Sequence, residues 1–101
     1  NLTLDVTSKL MIGEKTIIAS GVTIQDCSGH PIDPKLRAKG LPPSVENVKP
    51  VSIGKNVWIC SSAYILPGVT IADDCIIGAN VVLKEPLFKG QIAVSPKPLI
   101  K

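Results

Sequence analysis

The apolar residues of this chain recur every six positions. One position in each six-residue block carries a large aliphatic residue, namely Ile53, Ile59, Ile65, Ile71, Ile77 and Leu83. The position four residues later carries a small or β-branched residue, as in Val57, Ala63, Val69, Cys75 and Val81. An earlier block keeps the same period with Val6, Ile12, Ile18 and Ile24. A six-residue period belongs neither to an α-helix nor to an alternating strand, and it is typical of a parallel β-helix built from hexapeptide repeats.

In such a fold each hexad supplies one short strand and one turn, and three hexads close a coil of about 18 residues. The aliphatic residue points into the prism and stacks on its equivalent in the next coil. Branched side chains suit the flat stacked strands, and Gly, Asn or Asp suit the turns because they tolerate positive φ. The sequence therefore predicts an all-β chain, a parallel β-helix with one long protruding loop.

The period also predicts the organisation of the chain as a single domain. Coils are expected over residues 6–24 and 53–88, because the period runs through both segments. Between them, residues 25–52 lose the period and contain five prolines, which predicts a long functional loop. Residues 89–101 are predicted to be a tail. Three coils make a short prism with exposed strand edges, so we expect further coils upstream, a partner copy, or both.

Composition excludes several classes of function. The formal charge is only +3, the lysines are scattered, and three aromatic residues are too few for a nucleic-acid platform. No apolar run reaches the ~20 residues that a membrane helix needs. Three cysteines make an odd number without framework spacing, which predicts reduced thiols and a cytoplasmic protein.

Two stretches of sequence carry a family resemblance. The block Val51–Ile59, followed by Ile65–Ile71, resembles the hexapeptide-repeat acyltransferases. The loop sequence Ser28-Gly29-His30-Pro31 is similar to that of the maltose, galactoside and nodulation-factor O-acetyltransferases. This resemblance implies a left-handed helix, a homotrimer, and acetyl-coenzyme A lying in the groove between neighbouring subunits. It also implies that the loop histidine is a general base.

His30 is the only histidine, and an unperturbed imidazole titrates near pH 6.5, which suits removal of a proton from a hydroxyl. Taken alone, a single loop histidine would be interpreted as an ordinary surface residue. The similarity of the residues around His30 to the family's loop favours the catalytic role instead. A zinc site on this scaffold needs three histidines, and a symmetric trimer brings only copies of one, so we predict no metal.

The resemblance assigns Ser61 to the thioester carbonyl, where a hydroxyl or an amide could stabilise the oxyanion. It places Trp58, Ala79 and Lys84 along the coenzyme, while Lys97 and Lys101 could meet its 3′-phosphate. Three of these residues could instead have only a structural role. Ser61 could be an ordinary polar residue at a corner, Ala79 a small turn residue, and Trp58 an exposed residue that covers a face of the prism at the subunit contact. On the acceptor side the candidates are Asp5 and Arg37, although a charge in this loop is more often simply solvated.

The predicted function is coenzyme A-dependent O-acetyl transfer from acetyl-CoA to a hydroxyl of a sugar or a similar small acceptor. The acceptor oxygen would attack the thioester directly in a ternary complex. An alternative is a degenerate or truncated hexapeptide trimer that binds a partner without catalysis. That alternative is suggested by Cys60, Glu85 and Ser95, which depart from the family pattern.

Overall fold

The computed structural model describes residues 2–5, 10–27, 30, 33–42 and 48–95. These residues form short parallel strands in three sheets, and the chain visits the sheets in rotation. The sheets are therefore the three faces of a triangular prism whose levels are ~4.8 Å apart.

The first face contains β1 (Thr3–Asp5), β4 (Thr23–Gln25), β7 (Tyr64–Ile65) and β10 (Val82–Leu83). The second contains β2 (Leu10–Ile12), β5 (Val51–Ile53) and β8 (Thr70–Ile71). The third contains β3 (Ile17–Ile18), β6 (Trp58–Ile59), β9 (Ile76–Ile77) and β11 (Ile92–Ala93).

The strand register confirms the predicted hexapeptide period. Ile53 pairs with Ile71, Ile59 with Ile77, and Leu83 with Ile65. The two members of each pair are separated by three hexads of sequence, as one full coil requires. The stacked aliphatic side chains form the core of the prism, and the isoleucines at its centre are 0–2% exposed. These fully enclosed members of the stack are Ile24, Ile53, Ile59, Ile65, Ile71 and Ile77.

The period slips at both ends of the prism, so the predicted boundaries need correction. Ala93 pairs with Ile77, which is less than three hexads earlier, because the corner after β10 is shorter than the others. Residues 89–101 are therefore not simply a tail, since they contain β11. At the other end Leu4, not Val6, pairs with Ile24, and residue 6 lies outside the described residues.

The corners of the prism adopt left-handed backbone conformations. Four residues with φ between 56° and 77° stack at the corner between the second and third faces, namely Lys15, Asn56, Asp74 and Gly90. The corner between the third and first faces has Gly21, Ser62 and Asn80 in the same region. Glycine and asparagine were expected there, whereas Lys15 and Ser62 show that the stacked corner imposes this backbone on other residues as well.

The long excursion leaves and rejoins the prism at the corner between the first and second faces. It runs over 26–50, because Gln25 still belongs to β4 and β5 begins at Val51. Within it, α1 (Pro34–Ala38) begins at Asp33, whose side chain accepts a hydrogen bond from the Lys35 amide. The side chains of α1 are exposed.

Cys27, Cys60 and Cys75 form no disulfide bond with one another. In the part of the chain that the structure describes, no helix is long and apolar enough to span a membrane.

Candidate active site

Ser61 and Ala79 stack on each other at the corner between the third and first faces. They lie one coil apart on adjacent levels, and the Asn80 amide donates to the Ser61 carbonyl at 3.0 Å. The Ser95 hydroxyl donates to the Ala79 carbonyl at 3.4 Å. Because Ser61 and Ala79 are both exposed, this corner presents a hydroxyl and a small side chain to solvent on successive levels.

Trp58 leads into the same corner on the outer surface of the third face. It lies in register between Ile17 on the level below and Ile76 on the level above, and its side chain is 50% exposed. Ile92 continues this row, and Ile17 and Ile92 are 63% and 62% exposed. We call the row formed by Ile17, Trp58, Ile76 and Ile92 the apolar ridge. The structure thus brings Trp58, Ser61 and Ala79 to one side of the prism.

Lys84 lies at a different corner of the prism from Ser61 and Ala79. It follows β10 and is exposed at the corner between the first and second faces, so the first face separates it from Ser61 and Ala79. The structure therefore does not bring Lys84 to the corner of the other predicted coenzyme residues within one chain. Lys97 and Lys101 lie outside the described residues.

The predicted base and acceptor residues belong to the corner between the first and second faces. His30 is exposed in the excursion, and Arg37 is exposed on α1. Asp5 ends β1 and pairs with Gln25, the residue that directly precedes the excursion. Asp5 therefore lies at this corner, and His30 and Arg37 belong to the excursion that leaves from it, whereas Ser61 and Ala79 lie at the corner on the other side of the first face.

Asp26 is a residue that the sequence analysis missed. Among the described residues, Asp26 is the charged residue that is fully buried, with 0% exposure. It is the first residue of the excursion that carries His30. The available signal was weak, because an aspartate after a strand is normally read as a turn residue. Cys75, which the hexad pattern places inside the prism, is buried as expected, and its thiol donates to the Phe88 carbonyl at 3.1 Å.

Over the described ranges, no group of three or more His, Cys, Asp or Glu side chains could hold a metal ion.

Comparison with known proteins adds a family match to this geometry. Residues 50–85 match the family described as bacterial transferase hexapeptide (six repeats). Galactoside O-acetyltransferase of Escherichia coli (strain K12) is 39% identical over 93 residues, which cover 92% of this chain and 43% of that protein. Nodulation protein L of Rhizobium meliloti (strain 1021) is 48% identical over 67 residues, 66% of this chain and 33% of that protein.

A solved structure shares the fold. A galactoside acetyltransferase in complex with coenzyme A superposes with a TM-score of 0.73 at 34% identity, covering 88% of this chain and 43% of that one. This match confirms the expected left-handed parallel β-helix. The chain spans less than half the length of these relatives.

Proposed function

This chain belongs to the hexapeptide-repeat acyltransferase family, and from that premise we propose that it takes part in coenzyme A-dependent O-acetyl transfer. The acetyl group comes from acetyl-CoA, and the acceptor is a hydroxyl of a sugar or a similar small molecule. The observation that carries the proposal is the fold shared with a coenzyme A-bound galactoside acetyltransferase over 88% of this chain. Reduced thiols are consistent with a cytoplasmic location.

His30 acts as the general base in this proposal. Its neutral imidazole takes the proton of the acceptor hydroxyl while the acceptor oxygen forms a bond to the thioester carbonyl carbon. The tetrahedral oxyanion then collapses, the carbon–sulfur bond breaks, and the thiolate of coenzyme A receives the proton from the imidazolium. Attack is direct, so no acyl-enzyme forms and the acetyl group passes once from sulfur to oxygen.

Ser61 is the candidate for stabilising the oxyanion. Its exposed corner offers a hydroxyl beside Trp58 and Ala79, which would line the pantetheine arm. Preorganised hydrogen-bond donors at a developing oxyanion are typically worth about 10²–10³ in kcat. Lys84, Lys97 and Lys101 would meet the phosphates of the coenzyme, and Asp5 and Arg37 would hold the acceptor.

The two groups of residues favour an active site shared between chains. The excursion that carries His30 leaves the prism at one corner and Ser61 lies at another, with the first face between the two corners. In a closed ring of three copies, one corner of each prism faces a different corner of its neighbour, because the interface is heterologous. The exposed apolar ridge beside Ser61 is a surface that such an interface would bury. We therefore propose a homotrimer in which His30 of one chain faces Ser61 of the next.

An acetyl-transfer assay tests the function. Purified protein is incubated with acetyl-CoA and either a galactoside or maltose, and acetylated product is measured by mass spectrometry. We expect His30→Ala to lower kcat by ~10²–10⁴ while leaving the affinity for coenzyme A unchanged. Lys35→Ala, which removes an exposed charge from α1 in the same excursion, is the matched control and should behave as the wild type. Equal rates for wild type and His30→Ala would refute the assignment of the base.

A further inference from the structure

Asp26 occupies the junction between the prism and the excursion. It directly follows β4, and its side chain has 0% exposure, although the next helix of the excursion has no buried residue. An ionised carboxylate is costly to bury unless hydrogen-bond donors or cations surround it. Among the described residues, no buried side-chain nitrogen or oxygen lacks a hydrogen-bond partner. Asp26 is therefore held by partners inside the protein, as a buried anchor at the start of an excursion whose helix α1 is exposed.

The backbone of Asp26 reinforces this anchor. Its carbonyl accepts a hydrogen bond from the Lys49 amide at 2.6 Å, which closes the two ends of the excursion on each other. The Lys49 carbonyl in turn accepts from the Gly68 amide at 3.0 Å, one level further along the same corner. Cys27, the next residue, is only 1% exposed. The first two residues of the excursion are thus buried, whereas His30 is exposed.

We propose that Asp26 is a positioning residue for His30, an inference that rests on the proposed role of His30 as the base. His30 is the fourth residue after Asp26, and four extended residues span at most ~14 Å, so a fixed Asp26 limits where the imidazole can go. The other end of the excursion offers no comparable restraint, because Lys49 lies much further from His30 along the chain. Asp26 combines a buried side chain with a backbone hydrogen bond that closes the base of the excursion.

Asp26→Asn is the sharpest perturbation of this anchor. Asparagine keeps the volume of the side chain but replaces one carboxyl oxygen with an NH₂ group, so a group that can accept a hydrogen bond becomes one that only donates. Asp33→Asn is the matched control, because it removes the same charge from the same excursion at an exposed position. Asparagine also caps helices well, so α1 is retained.

The first readout is the imidazole signal of His30 in an NMR spectrum of the full chain. The sequence has one histidine, so the signal is assigned without ambiguity. We expect Asp26→Asn to shift or broaden it and Asp33→Asn to leave it at the wild-type position. An unchanged signal in folded Asp26→Asn overturns the proposal. This readout needs no substrate, so it judges Asp26 even if the chain transfers no acetyl group.

The second readout is kinetic and separates positioning from general damage. Asp26→Asn should lower kcat at least tenfold while the Kd for coenzyme A stays within twofold, because neither Asp26 nor His30 is assigned a contact with the coenzyme. In a His30→Ala background the same substitution should cause no further loss, since it acts through the imidazole. If it slows the His30→Ala enzyme as strongly as the wild type, Asp26 does not act through His30 and the proposal is wrong.

If Asp26→Asn does not fold, amide hydrogen exchange of the wild-type protein tests whether the base of the excursion is closed. The Lys49 amide, bonded to the Asp26 carbonyl, should exchange far more slowly than the Arg37 amide, which bonds within the exposed α1. Similar exchange rates would mean that the base of the excursion is open and would overturn the proposal.

Discussion

Truncation of one inward isoleucine tests how the prism is stabilised. Ile65 is 0% exposed and lies in register between Ile24 and Leu83, so the substitution Ile65→Ala removes three carbons from a closed stack. At ~0.8 kcal/mol per buried carbon the transfer loss is about 2.4 kcal/mol. Neighbours on both levels hold the space open, and the resulting cavity raises the loss to about 3–4 kcal/mol.

Ile12→Ala is the matched control, because it is the same change at the same kind of inward position. Ile12 is 40% exposed at the end of the second face and pairs with Ile53 on one side. About three-fifths of the transfer term remains, and little cavity forms because the site is open to solvent. The expected loss is therefore about 1–1.5 kcal/mol. Strand propensity cancels between the two variants, since both replace isoleucine with alanine.

Urea denaturation followed by circular dichroism measures both losses. The variants and the wild type are compared at one protomer concentration, because association would make the midpoint depend on concentration. The slope of the free energy against urea should stay unchanged, so that the midpoints report stability. If the two variants lose the same free energy of unfolding within about 0.5 kcal/mol, burial along the stack does not decide stability and the reasoning is wrong.

Two further changes test the corners of the prism. At Gly54 a Cβ would meet the Asp73 amide nitrogen at 2.8 Å and the Ala72 carbonyl carbon at 2.9 Å, so Gly54→Ala should cost about 1–3 kcal/mol in thermal unfolding. A wild-type melting temperature would contradict the close approach. For the shared site, His30→Ala and Ser61→Ala chains are refolded together in equal amounts. If the two chains assemble at random into trimers, about a quarter of the sites pair an intact His30 with an intact Ser61 of the neighbouring chain, so activity should return there. A mixture no more active than its separate components would contradict a site formed between chains.

The sequence alone determined the fold class, the period and the core of this protein. A six-residue repeat permits few solutions, because an inward position that recurs at this interval must stack on itself. The buried isoleucines and the register of three hexads per coil follow from it, and the prediction holds wherever the hexads are intact. Where a corner is shortened, as before Leu87, the period slips, and the sequence predicts a tail where the structure has β11.

Only the tertiary structure decided how the candidate site is divided. Ser61 and Ala79 share a corner because three hexads make one coil, which the period already implied. That the excursion carrying His30 leaves from a different corner than the one that holds Ser61, by contrast, is shown only by the arrangement of the strands. The hydrogen bond by which Lys49 closes the excursion onto the backbone of buried Asp26 is likewise seen only in the structure. Both are consequences of contacts between residues distant in sequence, and a local pattern of residue types carries no information about such contacts.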